Sequence, residues 1–193
     1  MSKYTIIFGS PRKAGNTAAL LKPFINELRE MNAEIDYFDI YEKNIAGCRA
    51  CLHCQEDVGS INCIIDDDMQ PILKSIATSD TIVLASPIYA WSAPAPMKAV
   101  IDRSIYSSCK YYGDDPYGPA LLTGKRLALV VTCGYPVETG ADLYAEEMKR
   151  YCKHCGMEFA GYICERQRNL KEPFMDESKI DKAGEFARIL EGI

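Results

Sequence analysis

The sequence predicts a doubly wound α/β domain built on a five-stranded parallel sheet. Apolar runs of strand length alternate with amphipathic stretches of helix length along the whole chain. Three of the five runs are nearly continuous in Ile, Val, Leu and Ala, as expected of strands covered on both faces. No repeat, low-complexity tract or linker interrupts the alternation. With 193 residues, 48% hydrophobic and 25% charged, the chain therefore reads as one domain over 1–193 with a sizeable core.

The first strand is expected at roughly 4–9 (YTIIFG), followed by a helix from Thr17 to about Met31 that carries Leu20, Leu21, Phe24, Ile25 and Leu28 at helical spacing. Pro23 should bend that helix slightly or sit near its first turn. A second strand is expected at 33–40. The next helix opens after Asp66, Asp67 and Asp68, whose carboxylates suit a helix N-terminus, and it carries Met69, Ile72, Leu73 and Ile76 on one face. A metal site made of the three aspartates is the sharper reading, and capping is preferred over it. Strands at 81–86, 126–133 and 158–165 then alternate with helices at about 95–107, 139–155 and 177–191. Five strands joined in this way favour the flavodoxin-like order 2-1-3-4-5. Two connections exceed what the sheet needs, the cysteine-rich loop at about 42–65 and the segment at about 108–123, and long loops in compact domains tend to carry function.

Composition excludes several classes. The net charge of −5 is spread over mixed-sign segments with no basic stripe, which argues against nucleic acid or an anionic membrane as partner. The apolar run before Gly9 is too short for a signal-peptide core, and no later run approaches membrane length, so a cytoplasmic protein is expected. Nine cysteines, an odd number with no export signal, point to metal binding, redox chemistry or buried thiols rather than a secreted disulfide framework.

In a doubly wound sheet, ligands lie beyond the carboxyl ends of the strands. After the first strand, GSPRKAGNT (Gly9 to Thr17) runs straight into a helix, so backbone N–H groups and the helix N-terminus can cradle a phosphate. Ser10, Asn16 and Thr17 supply side-chain hydrogen bonds, and Arg12 a charge-assisted one. The loop is neither GxGxxG nor GxxxxGK[ST], which speaks against dinucleotide binding and P-loop hydrolysis. A bland turn with a helix cap explains the same residues. After the third strand, Pro87, Ile88, Tyr89, Ala90 and Trp91 form an apolar platform suited to a flat flavin ring, although core packing is the default for isolated aromatics. The fourth strand ends in TCGYPVETG, placing Thr132, Cys133, Gly134 and Tyr135 at a third tip.

The first loop and the SPIY…KAVIDR segment together resemble the NADPH-dependent FMN reductase family of flavodoxin-like proteins, and the similarity runs through nearly the whole chain. The resemblance implies that Ser10, Arg12, Asn16 and Thr17 surround an FMN phosphate. It further implies that Pro87 to Trp91 and Thr132 to Gly134 flank the isoalloxazine. Within that family, the iron-sulfur flavoproteins carry a compact cysteine motif after the second strand, and Cys48, Cys51, Cys54 and Cys63 occupy the corresponding place. Here the spacing is C-x2-C-x2-C-x8-C. Three thiolates at three-residue intervals can each reach a different iron of a 4Fe-4S cluster, with a distant fourth closing the site. A single zinc usually takes two separated pairs and fits less well. The eight residues QEDVGSIN make the third gap longer than the resemblance leads one to expect, so a redox-active or incidental thiol set stays open beside the cluster, as does zinc. His53 reads as a solvated loop residue.

Cys152 and Cys155 also spell C-x-x-C, but they end a predicted helix just before Gly156, which suits a C-cap and buried thiols. The function implied is FMN-dependent oxidoreduction, with electrons passing from NAD(P)H or a ferredoxin-like donor to a quinone, nitro or azo compound or oxygen species. No side chain is needed as acid or base, so no catalytic residue is assigned. A flavin-bearing electron carrier or redox sensor without turnover is the rival. The resemblance also implies a homodimer, with the aromatic-rich 106–117 segment contributing to the interface or the flavin pocket.

Overall fold

The computed structural model describes residues 1–193 apart from Asp115, which falls in the predicted 108–123 connection, Arg168 and Leu170. In chain order the elements are β1 (Lys3–Phe8), α1 (Asn16–Glu30), β2 (Glu34–Asp39), α2 (Met69–Thr78), β3 (Thr81–Pro87) and α3 (Ala95–Ser108). They continue with β4 (Arg126–Cys133), a single turn α4 (Val137–Gly140), α5 (Asp142–Cys155), β5 (Glu158–Arg166) and α6 (Glu177–Glu191). All the strand pairs are parallel and the order is β2-β1-β3-β4-β5, as the alternation predicted.

Period-two alternation in the central strands sorts side chains onto two faces. Ile7, Leu84 and Leu129 meet α2, α3 and α5 on one side, while Ile6, Val83 and Val130 meet α1 and α6 on the other. This two-sided burial explains why these strands read as continuous apolar runs. Glu27 on α1 accepts from Arg188 on α6 at 2.7 Å across the second face.

Two local expectations are corrected. The helix predicted at 139–155 is broken into α4 and α5 at Ala141. The three aspartates do not act together as a cap. Asp68, at the N-cap of α2, makes no side-chain capping bond and instead accepts from the Asn44 N–H at 2.7 Å. Asp67 receives the Met69 N–H at 3.0 Å but is drawn mainly to Arg103 of α3. Pro23 sits inside α1, which continues through it. Among the described residues, no helix is long and apolar enough to cross a membrane.

Candidate functional site

Three strand tips converge at the carboxyl edge, and hydrogen bonds stitch them together. Gly9 N–H donates to Ala85 O at 2.8 Å, tying the β1 tip to β3. Ile88 N–H donates to Thr132 O at 2.8 Å, tying β3 to β4, and Pro87 pairs in register with Thr132. The buried hydroxyls of Thr17 and Thr132 lie 2.8 Å apart, closing the circuit from α1 to β4.

α1 opens without a side-chain cap and with no acidic residue in its first turn. Its leading N–H groups are therefore available to an anion, and the helix dipole favours one there. Ser10 is buried, and among the described residues its hydroxyl makes only long, 3.3 Å contacts with the Arg12 backbone. Arg12 is exposed. Gly15 is held close to it, and a Cβ there would meet Arg12 Cβ at 2.9 Å. Asn16 is turned aside and donates to Gln167 at 2.9 Å, just beyond β5.

The tip of β3 carries backbone strain. Tyr89 and Ser92 exchange both backbone hydrogen bonds, at 3.0 and 3.1 Å, around a two-residue turn whose central residues, Ala90 and Trp91, have φ of 49° and 62°. Such turns normally take Asn or Gly, and each left-handed non-glycine residue costs on the order of 1–2 kcal/mol. The turn thrusts Tyr89 and Trp91 outward, 49% and 42% exposed. Trp91 stacks on Tyr135 from the β4 tip at 5.3 Å, and its indole N–H donates to Thr139 O at 2.9 Å. The strained turn thus holds large aromatics out from the core at this edge.

Cys133 is buried beneath this layer, 3.5 Å from Cys164 of β5, and donates to Tyr135 O at 3.2 Å. Gly134 is exposed and its carbonyl accepts from Arg166 at 3.0 Å. A cleft of about 640 Å3 opens between the β4 tip and the segment after β5, bordered by Glu138, Cys164, Arg166, Gln167 and Lys182. None of the predicted cofactor residues lines it. Gln167, Arg166 and Cys164 were missed because the tip of the fifth strand went unread, although its position at the carboxyl edge was signal enough.

The four cysteines of the long loop share one cavity. Cys48, Cys51, Cys54 and Cys63 line it with Ala50, Leu52, Arg103 and Tyr106, and no carboxylate is among its lining residues. All four thiols are free. Ala50 and Leu52 adopt left-handed φ of 50° and 58°, which winds the chain between cysteines. Ala50 N–H points at the Cys48 sulfur, 3.4 Å away. The long QEDVGSIN gap folds back on itself, with Asp57 accepting from the Gly59 N–H at 3.0 Å and from Asn62 at 3.2 Å. The enclosed space is small, about 20 Å3. Among the described residues no three His, Cys, Asp or Glu groups are set to hold a metal ion. A tetrahedral zinc needs sulfurs about 3.8 Å apart around one centre, whereas a cluster takes each thiolate on a different iron. The thiol-rich, carboxylate-free donor set is what fits iron-sulfur chemistry here.

This loop and the end of α3 with the segment after it brace each other. Gln55 donates to Tyr106 O at 2.6 Å and Cys109 O at 3.0 Å, and its carbonyl accepts the Tyr112 N–H at 3.1 Å. Lys110, 1% exposed, donates to Cys54 O at 2.6 Å. Burial pushes the Cys54 thiol above its ordinary value, against the opposing pull of Gln55 and Lys110, and burial holds the Lys110 ammonium below its own. Tyr106, Tyr111 and Tyr112 pack here with one another and with His154. Cys152 and Cys155 are buried, with Gly156 as a left-handed C-cap at φ 69°. Cys155 lies 3.4 Å from Cys109, and their hydrogen bond holds the Cys109 thiol below its ordinary value despite burial. His53 pairs with Glu56 at the surface.

α3 connects the two regions. It begins just after the strained turn, and Arg103, Tyr106 and Ser107 farther along it line the thiol cavity. The two regions are thus about 12–18 Å apart along one helix.

A sequence-family model for the flavodoxin-like fold matches residues 2–185. The iron-sulfur flavoprotein of Methanosarcina thermophila is 34% identical over 123 residues, covering 63% of each chain. An iron-sulfur flavoprotein of Archaeoglobus fulgidus is 32% identical over 160 residues, 81% of this chain and 64% of that one. The chain thus spans somewhat under two thirds of the length of these relatives. Among solved structures, the FMN-dependent NADH-azoreductase of Bacillus anthracis in complex with FMN superposes with a TM-score of 0.73 at 17% identity, covering 98% of this chain and 99% of that one. Sheet order, strand-tip geometry and the near-complete model match agree that the chain belongs to the flavodoxin-like fold family.

Proposed function

We propose that the protein is an FMN-dependent oxidoreductase that takes electrons from NAD(P)H or a ferredoxin-like donor and passes them to a small acceptor such as a quinone, a nitro or azo compound or an oxygen species. One observation carries the reading. An uncapped, acid-free helix N-terminus lies beside a strained aromatic turn, and the two are stitched through Thr17–Thr132 and Ile88–Thr132.

The N–H groups opening α1 and the Ser10 hydroxyl hold the phosphate, with Arg12 free to swing onto it. Pro87 to Trp91 and Thr132 to Gly134 flank the ring, and the Trp91–Tyr135 stack shields one edge from water. Bound FMN supplies hydride acceptance and one- or two-electron delivery. Cys48, Cys51, Cys54 and Cys63 hold a 4Fe-4S cluster, which supplies one-electron exchange. Relatives that are named iron-sulfur flavoproteins, and a solved azoreductase of this fold with FMN, support this reading. The proposal also places the protein in the cytoplasm as a homodimer.

The test is an anaerobic purification followed by flavin, iron and sulfide assays, then NAD(P)H oxidation with a simple quinone. One FMN per chain and acceptor-dependent oxidation are expected. FMN without oxidation of either nicotinamide would leave an electron carrier, and absence of FMN would overturn the proposal.

A further inference from the structure

Arg103 stands on the buried face of α3 at 2% exposure, a place where an uncompensated guanidinium is costly. Its contacts share a pattern. Nη1 donates to the Asp67 carboxylate at 2.7 and 2.5 Å and to Ala46 O at 3.3 Å, and Nη2 donates to Ile65 O at 3.2 Å. Ala46 precedes the four cysteines, while Ile65 and Asp67 follow them. One guanidinium therefore ties both stems of the loop to α3. Asp67 accepts the Ala46 N–H as well, at 2.9 Å, so the two stems are also joined directly.

The clamp is incomplete on its inner side. Arg103 Nε is buried and has no hydrogen-bond partner among the described residues. The same side chain lines the cavity of Cys48, Cys51, Cys54 and Cys63, and it lies close enough to Cys63 for the two to interact. One unpartnered N–H on a guanidinium otherwise held by Asp67, in a cavity lined by four thiols and no carboxylate, suits an occupant with sulfur acceptors.

We propose that Arg103, braced by Asp67, is the positioning residue of the cysteine cradle, fixing both stems of the loop and offering its free N–H to the Cys63 side of a 4Fe-4S cluster. The inference rests on the cluster reading given above. A hydrogen bond from Nε to a sulfur favours the reduced, more negative state, so Arg103 raises the reduction potential. Lysine keeps the charge but cannot reproduce the forked contacts.

The test compares wild type, Arg103→Lys and Arg103→Met, each purified without oxygen. Iron and sulfide per chain, iron retention against a chelator, flavin content, melting temperature, the EPR spectrum of the reduced protein and the midpoint potential are read on the same samples. Wild type is expected to hold about four irons per chain. Arg103→Lys is expected to keep its flavin but lose iron to the chelator on the order of 10-fold more readily, with an altered EPR signature. Arg103→Met is expected to show a lower potential than Arg103→Lys. If Arg103→Met does not fold, Arg103→Lys decides alone. Wild-type retention, spectrum and potential in a folded variant would overturn the role of Arg103 while leaving the cluster intact. Wild type without iron would overturn the cluster and, with it, this role.

Discussion

At the carboxyl edge of the sheet, backbone groups set the geometry. Gly9 bonds Ala85, Ile88 bonds Thr132, and Tyr89 bonds Ser92, each from a residue within two of the end of a regular strand. In the cysteine loop, side chains do the same work. Arg103, Lys110 and Gln70 of α2 reach into a segment that has little regular structure and hold it by its carbonyls, while Gln55 reaches out of it to the carbonyls of Tyr106 and Cys109. Strand tips inherit their positions from a core buried on both faces, so their rigidity is nearly independent of any one contact. A loop held by four side chains concentrates its order in those four, and losing one should be felt throughout it.

The largest effect should therefore come from cutting the tether that closes both stems. Asp67→Ala leaves Arg103 buried and unpaired, which costs about 3–5 kcal/mol, read as a fall in thermal or denaturant midpoint. A loss under about 1 kcal/mol, the scale of exposed pairs, would show that the loop does not depend on the pair. The wild type carries a pH signature of the same bond. Burial works to raise the Asp67 carboxyl, but hydrogen bonds from Arg103 and from the Ala46 and Met69 N–H groups outweigh it and hold the pKa below the ordinary value. Because the folded value lies below the unfolded one, the contribution is full above about pH 4 and is lost as pH falls through the folded pKa. Stability of the wild type should drop more steeply below that point than stability of Asp67→Asn.

A middle-sized effect tests whether the bracing segment transmits to the loop. Gly118 packs against the Lys110 carbonyl so closely that a Cβ would overlap it, and the adjacent Pro119 O accepts the Lys110 N–H at 2.9 Å. Backbone, unlike the end of a flexible side chain, cannot step aside. Gly118→Ala should cost about 1–3 kcal/mol, and by displacing Lys110 it should speed alkylation of Cys54 in the metal-free protein. Unchanged Cys54 reactivity would show that Lys110 does not brace the loop.

The same contrast decides what was legible in the sequence. Strand tips could be located because periodicity gives the strands, and parallel topology then gives the edge. Ser10, Thr17, Ile88 and Thr132 all fall there. Asp67 and Arg103 are 36 residues apart, and Gln55 and Tyr106 are 51 apart, so no local pattern announces either pairing. Asp67 looked like one of three capping carboxylates, and it does accept the Met69 N–H, yet its ion-pair partner is a tertiary one. The signal for Arg103 was present as a charge among Val100, Ile101 and Ser104, on a face that helical spacing predicts to be buried. Asn16 pairs with Gln167 across 151 residues, and helix periodicity is silent on such a contact.

The smallest effect should have opposite signs at the two levels of the strand edge. Ala90 holds a left-handed φ of 49° beside Trp91 at 62°. Glycine adopts that conformation without penalty, so Ala90→Gly relieves strain, although a more flexible unfolded chain offsets part of the gain. A net stabilisation of about 0.5–1 kcal/mol is expected, measured as a raised melting temperature of the flavin-free protein. Flavin binding should move the other way. Alanine restricts the turn so that Tyr89 and Trp91 stand out before any partner arrives, and glycine lets them sample other positions, so flavin affinity should fall by a few-fold by fluorescence titration. If Ala90→Gly gains stability and keeps full affinity, the strain has no preorganising role. Loss of both would instead mean that the alanine methyl makes contacts worth more than the strain it imposes.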